Sequence, residues 1–99
     1  MVYLLHFSRP YPRDSRASVQ HYLGFTASAR TLPQRLGHHR DGSGARLMAA
    51  VSAAGIGFTV ARVWRDADRT AERRLKNRRN GRKLCPLCNP GIEEVRRAA

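Results

Sequence analysis

The sequence predicts an α/β fold of the α+β type, in which helices flank a three-stranded antiparallel sheet. The 99 residues, 41% of them hydrophobic, suit a single small core. Three stretches carry the apolar runs or the alternation of strands, and segments with helix start and stop signals lie between and after them. The periodic pattern then fades, so we expect a folded domain at 1–84 and a C-x-x-C-containing tail at 85–99.

The first two strands are predicted at residues 2–7 and 21–27. The first is a short apolar run, and alternation sets Tyr3 on the same face as Leu5 and Phe7. Residues 8–20 carry two prolines, serines and charges, which predicts a long loop before an antiparallel return. Alternation in the second strand predicts a packing face of His21, Leu23 and Phe25, and leaves a polar face, with a gap at the glycine, of Tyr22, Gly24 and Thr26.

Two helices are predicted between the second and third strands. Thr31 is a suitable N-cap and Pro33 falls in the first turn. We expect this helix to be short, because Gly37 and a glycine-rich turn follow. The segment 45–55 predicts a second helix that Gly55 closes, with an apolar side of Leu47, Met48 and Val51.

The third strand and third helix follow at once. Alternation of Phe58, Val60 and Trp64 predicts the strand. Asp66 can then cap a helix whose narrow apolar stripe recurs at intervals of four, at Ala67, Ala71 and Leu75.

The charge of the chain indicates a polyanionic partner. A net charge of +12 attracts nucleic acid through counterion release, although a bias towards arginine could raise the charge without any ligand. No run approaches the roughly 20 apolar residues of a membrane span, and the first residues do not resemble a secretory signal. We therefore expect a cytoplasmic protein that binds nucleic acid and does not enter a membrane.

A single acid, Glu72, lies in the segment 69–83 among eight cationic side chains. It precedes Lys76 by four residues, the favoured order for a helical ion pair. Alternatively, a carboxylate within a phosphate-attracting surface is where a divalent cation could be held against a nucleic-acid backbone. Its position beside the apolar stripe favours a place at the junction of helix and sheet.

The order of these features resembles the GIY-YIG endonuclease family, which includes the amino-terminal nuclease of bacterial excision repair and small stand-alone members. The resemblance spans roughly residues 2–76. It is carried by "VYLL", "YLG", "LPQRLGHH", "GSGA", "FTVARVW" and "AERRLK", with an arginine eleven residues after the glycine of "YLG", a histidine four beyond it, and a glutamate on the last helix.

The resemblance implies a role for each of five residues. Glu72 would hold a divalent ion, Mg²⁺ or Mn²⁺, and Arg35 would contact the scissile phosphate of DNA. Tyr3 or Tyr22 would orient or deprotonate the attacking water, with His39 as the competing base. Read singly, each of these residues also has an ordinary structural interpretation. The cations expected to contact the DNA backbone are Arg40, Arg69, Arg73, Lys76 and Arg79.

The cysteine pair has three interpretations. Cys85 and Cys88 form one C-x-x-C, which is half of a tetrahedral Zn²⁺ site. The two missing ligands would come from a second chain or from His6, His21 or His38. The cysteines could instead be reduced thiols that pack the tail down, or a redox pair.

Two functions from different classes follow from the sequence. The first is a metal-dependent endonuclease that hydrolyses DNA phosphodiester bonds, acting on branched, damaged or single-stranded targets or with weak sequence preference. The second is a nucleic-acid-binding module whose nuclease centre is weak or inactive. Both predict binding that falls with salt, and only cleavage separates them.

Overall fold

The predicted fold class is confirmed. The computed structural model describes residues 1–13, 17–77 and 81–89. Its three strands form one antiparallel sheet in the order β2-β1-β3, so the first strand lies in the centre. The strands are β1 (Val2–Tyr11), β2 (Val19–Phe25) and β3 (Phe58–Trp64), and the helices are α1 (Leu32–Asp41), α2 (Arg46–Ala53), α3 (Arg69–Asn77) and α4 (Gly81–Leu84).

The hairpin of β1 and β2 is longer than predicted. The prolines suggested that the chain leaves the sheet at residue 8, but β1 continues to Tyr11 and β2 already begins at Val19. The register shifts between His6 and Tyr11, and there the Gln20 side chain donates a hydrogen bond to the Phe7 carbonyl (3.1 Å). A proline is tolerated in such an irregular stretch because no regular ladder bond is lost.

Strand β3 departs from strict alternation. Its register against β1 shifts between Leu4 and Leu5, so that Leu4 faces Arg62 and Leu5 faces Val60. One extra residue of β3 is accommodated at this bulge. The sequence pattern placed Trp64 on the face of Phe58 and Val60. This was wrong, because the bulge reverses the faces beyond it and Trp64 lies opposite Val2.

Helix α1 is longer than the expected short helix. It starts after Thr31 and has proline in its first turn, as predicted, but Thr31 makes no side-chain cap. The Thr31 hydroxyl instead lies 2.6 Å from that of Thr26. Gly37 does not end the helix; Gly42 does, in a left-handed conformation (φ 82°). Because α1 continues past Gly37, His39 lies within the helix.

Helix α2 agrees with the prediction. Its buried side chains are Met48 and Val51. Gly55, with φ 73°, turns the chain beyond its end, and the Ile56 amide donates back to the Val51 carbonyl (3.1 Å). This closing pattern requires a residue that tolerates positive φ, which glycine does at no steric cost.

Asp68, not Asp66, caps α3. The Asp68 carboxylate accepts a hydrogen bond from the Ala71 amide (2.9 Å), the usual bond from an N-cap side chain to the third helical residue. Helix α3 lies along β2: Arg69 covers the ring of Phe25, and Lys76 approaches that of Tyr22. The predicted DNA contact Arg79 and the tail beyond residue 89 lie outside the described residues.

The core lies between one face of the sheet and helices α1 and α2. It is formed by Tyr3, Leu5, Phe7, Met48, Val51 and Ile56. Tyr22 packs against this cluster, so the face of β2 expected to be polar is the one turned towards the core. The opposite face carries His6 and His21, against which the chain after α4 lies. Among the described residues, the longest helices are too short and polar to cross a membrane.

Candidate functional site

A tyrosine ring fills the space above a glycine near the open end of the hairpin. Tyr3 and Gly24 are direct neighbours on β1 and β2. A Cβ atom on Gly24 would lie 2.4 Å from Cζ and 2.5 Å from the hydroxyl of Tyr3, far inside van der Waals contact. The gap predicted in the second strand is therefore the place of the Tyr3 ring, and only glycine leaves room for it.

The Tyr3 hydroxyl meets His39 of α1. It lies 2.7 Å from Nε2 of His39, and the hydroxyl donates when that nitrogen carries no proton. Both side chains are fully buried. The Tyr22 ring is 5.1 Å from that of His39 in an edge-to-face arrangement, and 6.4 Å from that of Tyr3. Three predicted site residues from three elements are thus in mutual contact.

Arg35 joins this group one helical turn before His39. A hydrogen bond to the Tyr3 hydroxyl raises the pKa of Arg35 still further, so the guanidinium is always charged. Its Nε atom is buried and has no hydrogen-bond partner among the described residues. The permanent charge and planar fork of a partly exposed guanidinium suit a phosphate oxygen.

The two buried groups are neutral at pH 7. Burial raises the pKa of Tyr3 to about 12, although the hydrogen bond from Arg35 opposes the rise. Burial, followed by the positive charge of Arg35, lowers the pKa of His39 to about 4. A tyrosine acting as the base would need neighbouring cations to lower its pKa. For Tyr3 desolvation outweighs them, because the ring is completely enclosed.

Glu72 lies at the edge of this group, as the sequence predicted. Its side chain is 17% exposed, and its charge contributes, after burial, to the raised pKa of Tyr3. The expected ion pair with Lys76 is present at 3.5 Å, and the Lys76 ammonium lies 5.7 Å from the centre of the Tyr22 ring. The fold therefore brings all five predicted site residues, the five-residue cluster, to one end of the hairpin: Tyr3, Tyr22, Arg35, His39 and Glu72.

The described cations of the basic segment are exposed along the β2 edge. We call them the cationic row: Arg69, Arg73, Arg74, Lys76, Arg82 and Lys83. Arg40, also predicted to contact DNA, is not among them. Its guanidinium lies over the ring of Phe58 on β3, at the other edge of the sheet.

A second group, the four-donor cluster, lies on the opposite face of the sheet and could hold a metal ion. Its members are His6, His21, Cys85 and Cys88, whose ligand atoms all lie within 4.8 Å of one another. The histidines are neighbours on β1 and β2, and both cysteines are free thiols. His38, which the sequence left open as a ligand, does not belong to this cluster. Burial, assisted by His6, lowers the pKa of His21 to about 4, so its imidazole is in the neutral, metal-binding form.

A tight turn presents the cysteine pair to the histidines. The Asn89 amide donates to the Cys85 carbonyl (2.9 Å), and the Asn89 side chain donates to the Arg82 and Cys85 carbonyls. Arg62 donates to the Leu84 carbonyl (3.0 Å) from the sheet. Sequence analysis did not single out Arg62, which is buried. The sequence feature that could have indicated it is a single cation within the largely apolar strand β3.

Comparison with known proteins adds no relative: the chain matches no protein-family model, no curated protein and no solved structure.

Proposed function

We propose that this protein is a metal-dependent endonuclease that hydrolyses phosphodiester bonds of DNA. One observation carries the proposal: a tyrosine pair, an arginine, a histidine and a glutamate, drawn from β1, β2, α1 and α3, converge beside a row of exposed cations. Hydrolysis of a phosphodiester needs an oriented water, positive charge at the phosphoryl oxygens and a surface that attracts the backbone. The five-residue cluster and the cationic row supply these three functions.

Exposure divides the cluster into two roles. Tyr22, Arg35 and Glu72 are partly exposed and can touch a substrate, whereas Tyr3 and His39 are fully buried. Arg35 would contact the scissile phosphate through guanidinium nitrogens other than the buried Nε. The Tyr22 hydroxyl would orient the attacking water. Tyr3 and His39 would act as positioning residues, because the buried Tyr3 hydroxyl lies beside the guanidinium and is hydrogen-bonded to His39.

Glu72 is the residue that would hold the divalent ion. The described part of the chain offers no second carboxylate in this cluster, which suits Mg²⁺ or Mn²⁺, since these ions retain several waters and need few protein ligands. The ion would have to compete with Lys76 for the carboxylate. When bound, it would neutralise charge developing on the phosphoryl oxygens.

For the four-donor cluster we propose Zn²⁺, because two sulfurs and two imidazoles are the ligands that zinc prefers and that Mg²⁺ avoids. Zinc binding requires the cysteines in reduced form, and a reducing compartment maintains them so, which is consistent with the cytoplasmic location that we propose.

A nucleic-acid-binding module is the second candidate. The observation that favours it is the Glu72–Lys76 ion pair, which occupies the only carboxylate available to the catalytic ion among the described residues of the cluster. Under this alternative the cationic row binds phosphates and no bond is cleaved.

Nicking of supercoiled plasmid at low salt, with Mg²⁺ or Mn²⁺, tests the choice. Wild type is compared with Glu72→Gln, which keeps shape and removes charge, and with Asp66→Asn, a matched change at an exposed carboxylate outside the cluster. We expect metal-dependent nicking in wild type and Asp66→Asn, reduced at least 100-fold in Glu72→Gln. Binding without nicking in any metal, or equal nicking by all three proteins, would contradict the proposed endonuclease and favour the nucleic-acid-binding module.

A further inference from the structure

We infer that the four-donor cluster is a structural zinc site that fastens the C-terminal end of the cationic row to the sheet, so that bound zinc is required for tight nucleic-acid binding. The second half of this inference rests on the proposed function. The first half stands on the geometry of the cluster alone.

Four of the six distances between donor atoms match the edges of a tetrahedral zinc site, and the other two are at most 4.8 Å. Bonds of about 2.3 Å to sulfur and 2.0–2.1 Å to nitrogen imply edges of about 3.3 Å between two nitrogens and about 3.6 Å between nitrogen and sulfur. His6 Nδ1 and His21 Nε2 are 3.2 Å apart. The Cys88 sulfur is 3.4 Å from the His21 nitrogen and 3.7 Å from the His6 nitrogen. The Cys85 sulfur is 3.5 Å from the His6 nitrogen.

Hydrogen bonding alone does not account for this arrangement. Nδ1 of His6 has three neighbours, His21, Cys85 and Cys88, within 3.7 Å. A neutral imidazole nitrogen has either one lone pair or one proton, so it forms one good hydrogen bond in the ring plane and not three. Four donors that converge on a common centre, rather than forming pairs, are the arrangement that one cation satisfies.

A bound ion would join parts of the chain that are far apart in sequence. His6 belongs to β1 and His21 to β2, whereas the cysteines follow α4. Helix α4 has only four residues, too few to be stable alone. Apart from the cluster, the bond from Arg62 to the Leu84 carbonyl links this segment to the sheet. Leu87, between the cysteines, is 55% exposed and adds little packing. Cys85 is itself fully buried and α4 contacts β2, so a bound metal would add to this packing by joining both cysteines to β1 and β2.

This attachment sets the course of the cationic row. Arg69 lies over Phe25 at one end of β2, and Lys76 lies near Tyr22. Cys88 contacts His21, the residue before Tyr22 on β2, from the other face of the sheet. Arg82 and Lys83 lie three and two residues before the first cysteine, and the Arg82 carbonyl accepts a hydrogen bond from the Asn89 side chain. Zinc thus holds these last two cations next to the rest of the row, where one phosphate backbone can contact them together.

The experiment measures zinc, stability and DNA binding separately, on the full chain. Zinc per chain is determined by mass spectrometry of protein purified without added chelator. The melting temperature, and binding of a labelled DNA duplex without Mg²⁺, are then recorded for wild type before and after a zinc-selective chelator and after zinc is restored. His21→Ala is compared with His38→Ala, a matched change at a histidine outside the cluster.

We expect one zinc per chain in wild type and His38→Ala, and none in His21→Ala. Chelation should lower the melting temperature by at least 5 °C, weaken DNA binding at least tenfold at 50 mM salt, and reduce the salt slope by about two, the number of cations released. Restored zinc should reverse all three changes. Because these measurements use wild type, a variant that fails to fold does not affect them.

Three results would overturn the inference. Wild type without stoichiometric zinc would exclude the site, and would return the cysteines to reduced thiols or a redox pair. Zinc whose removal leaves the melting temperature unchanged would exclude a structural role. A lower melting temperature with unchanged DNA affinity would separate the site from nucleic-acid binding. Absence of plasmid nicking, with all zinc effects as expected, would contradict the endonuclease and leave the zinc site intact.

Discussion

The contact between Gly24 and the Tyr3 ring allows a sharp test of the site. Gly24→Ala adds one methyl group, which would lie 2.4 Å from Cζ of Tyr3 and 2.8 Å from Cε2. Ordinary carbon contacts begin about 1 Å further out. The ring cannot retreat freely, because it is fully buried and its hydroxyl is bonded to His39.

The expected loss of stability follows from three contributions. Overpacking a well-filled core costs about 1–3 kcal/mol. Displacement of the ring also strains or breaks the hydrogen bond to His39, which is worth about 1 kcal/mol. The reduced freedom of the unfolded chain offsets about 0.4–1 kcal/mol of this. We therefore expect Gly24→Ala to lower the free energy of unfolding by about 2 kcal/mol.

Gly37→Ala is the matched control. Gly37 lies within α1, and a Cβ there would meet nothing within 4 Å. Alanine should stabilise this helix by about 0.5–1 kcal/mol. In urea unfolding, Gly24→Ala should therefore be less stable than wild type and Gly37→Ala more stable. Their free energies of unfolding should differ by about 3 kcal/mol. Equal stability of Gly24→Ala and Gly37→Ala would refute the placement of the Tyr3 ring over Gly24.

Three further predictions concern charge and capping. A histidine in the unfolded chain has a pKa of about 6.5, whereas burial holds the pKa of His39 near 4. Between these pH values the unfolded state binds more protons than the folded state. The contribution of His39 to stability should therefore fall by up to about 3 kcal/mol as the pH drops from 6.5 to 4. Because the pKa of His21 is also lowered to about 4, His39→Gln should remove about half of the slope in this part of a pH series of urea unfolding curves, and an unchanged slope would contradict the prediction. Arg35→Lys keeps the charge but loses the planar fork, so plasmid nicking should fall at least tenfold with thermal stability nearly unchanged; full activity would remove Arg35 from phosphate contact. Asp68→Ala should cost about 1 kcal/mol in chemical unfolding because it removes the cap of α3, and Asp66→Ala less than half of that. The reverse order would show that Asp66 is the cap.

The sequence patterns predicted the sheet, whereas the five residues of the cluster were selected by the resemblance to a nuclease family. Alternation identified the three strands, and the gap at Gly24 within a run of larger side chains marked the place where the Tyr3 ring lies. The spacing of four between Arg35 and His39 puts both on one side of a helix only if that helix continues past Gly37. A glycine inside a helix costs about 1 kcal/mol, which packing of α1 against the core outweighs. Helix propensity alone therefore predicted the wrong C-terminal end for α1.

Features that depend on contacts distant in sequence were beyond prediction. The bulge in β3 follows from its register against β1, and no local pattern announces it. His6 and His21 were possible partners of the cysteines, but their selection over His38 requires the pairing of β1 with β2. The raised pKa of Tyr3 likewise depends on complete burial, whereas the sequence displayed only the surrounding cations.

The two clusters are connected through the register of a single hairpin. Tyr3 pairs with Gly24 and His6 with His21 in the same ladder, and an odd separation along β1 sends these two pairs to opposite faces. A slip of one residue between the strands would put a side chain under Tyr3 and would separate the histidines at the same time. The proposed zinc ion, bound to both histidines, would oppose such a slip from behind the sheet. It would thereby stabilise the arrangement in which Gly24 leaves room for Tyr3, whose hydroxyl lies beside Arg35.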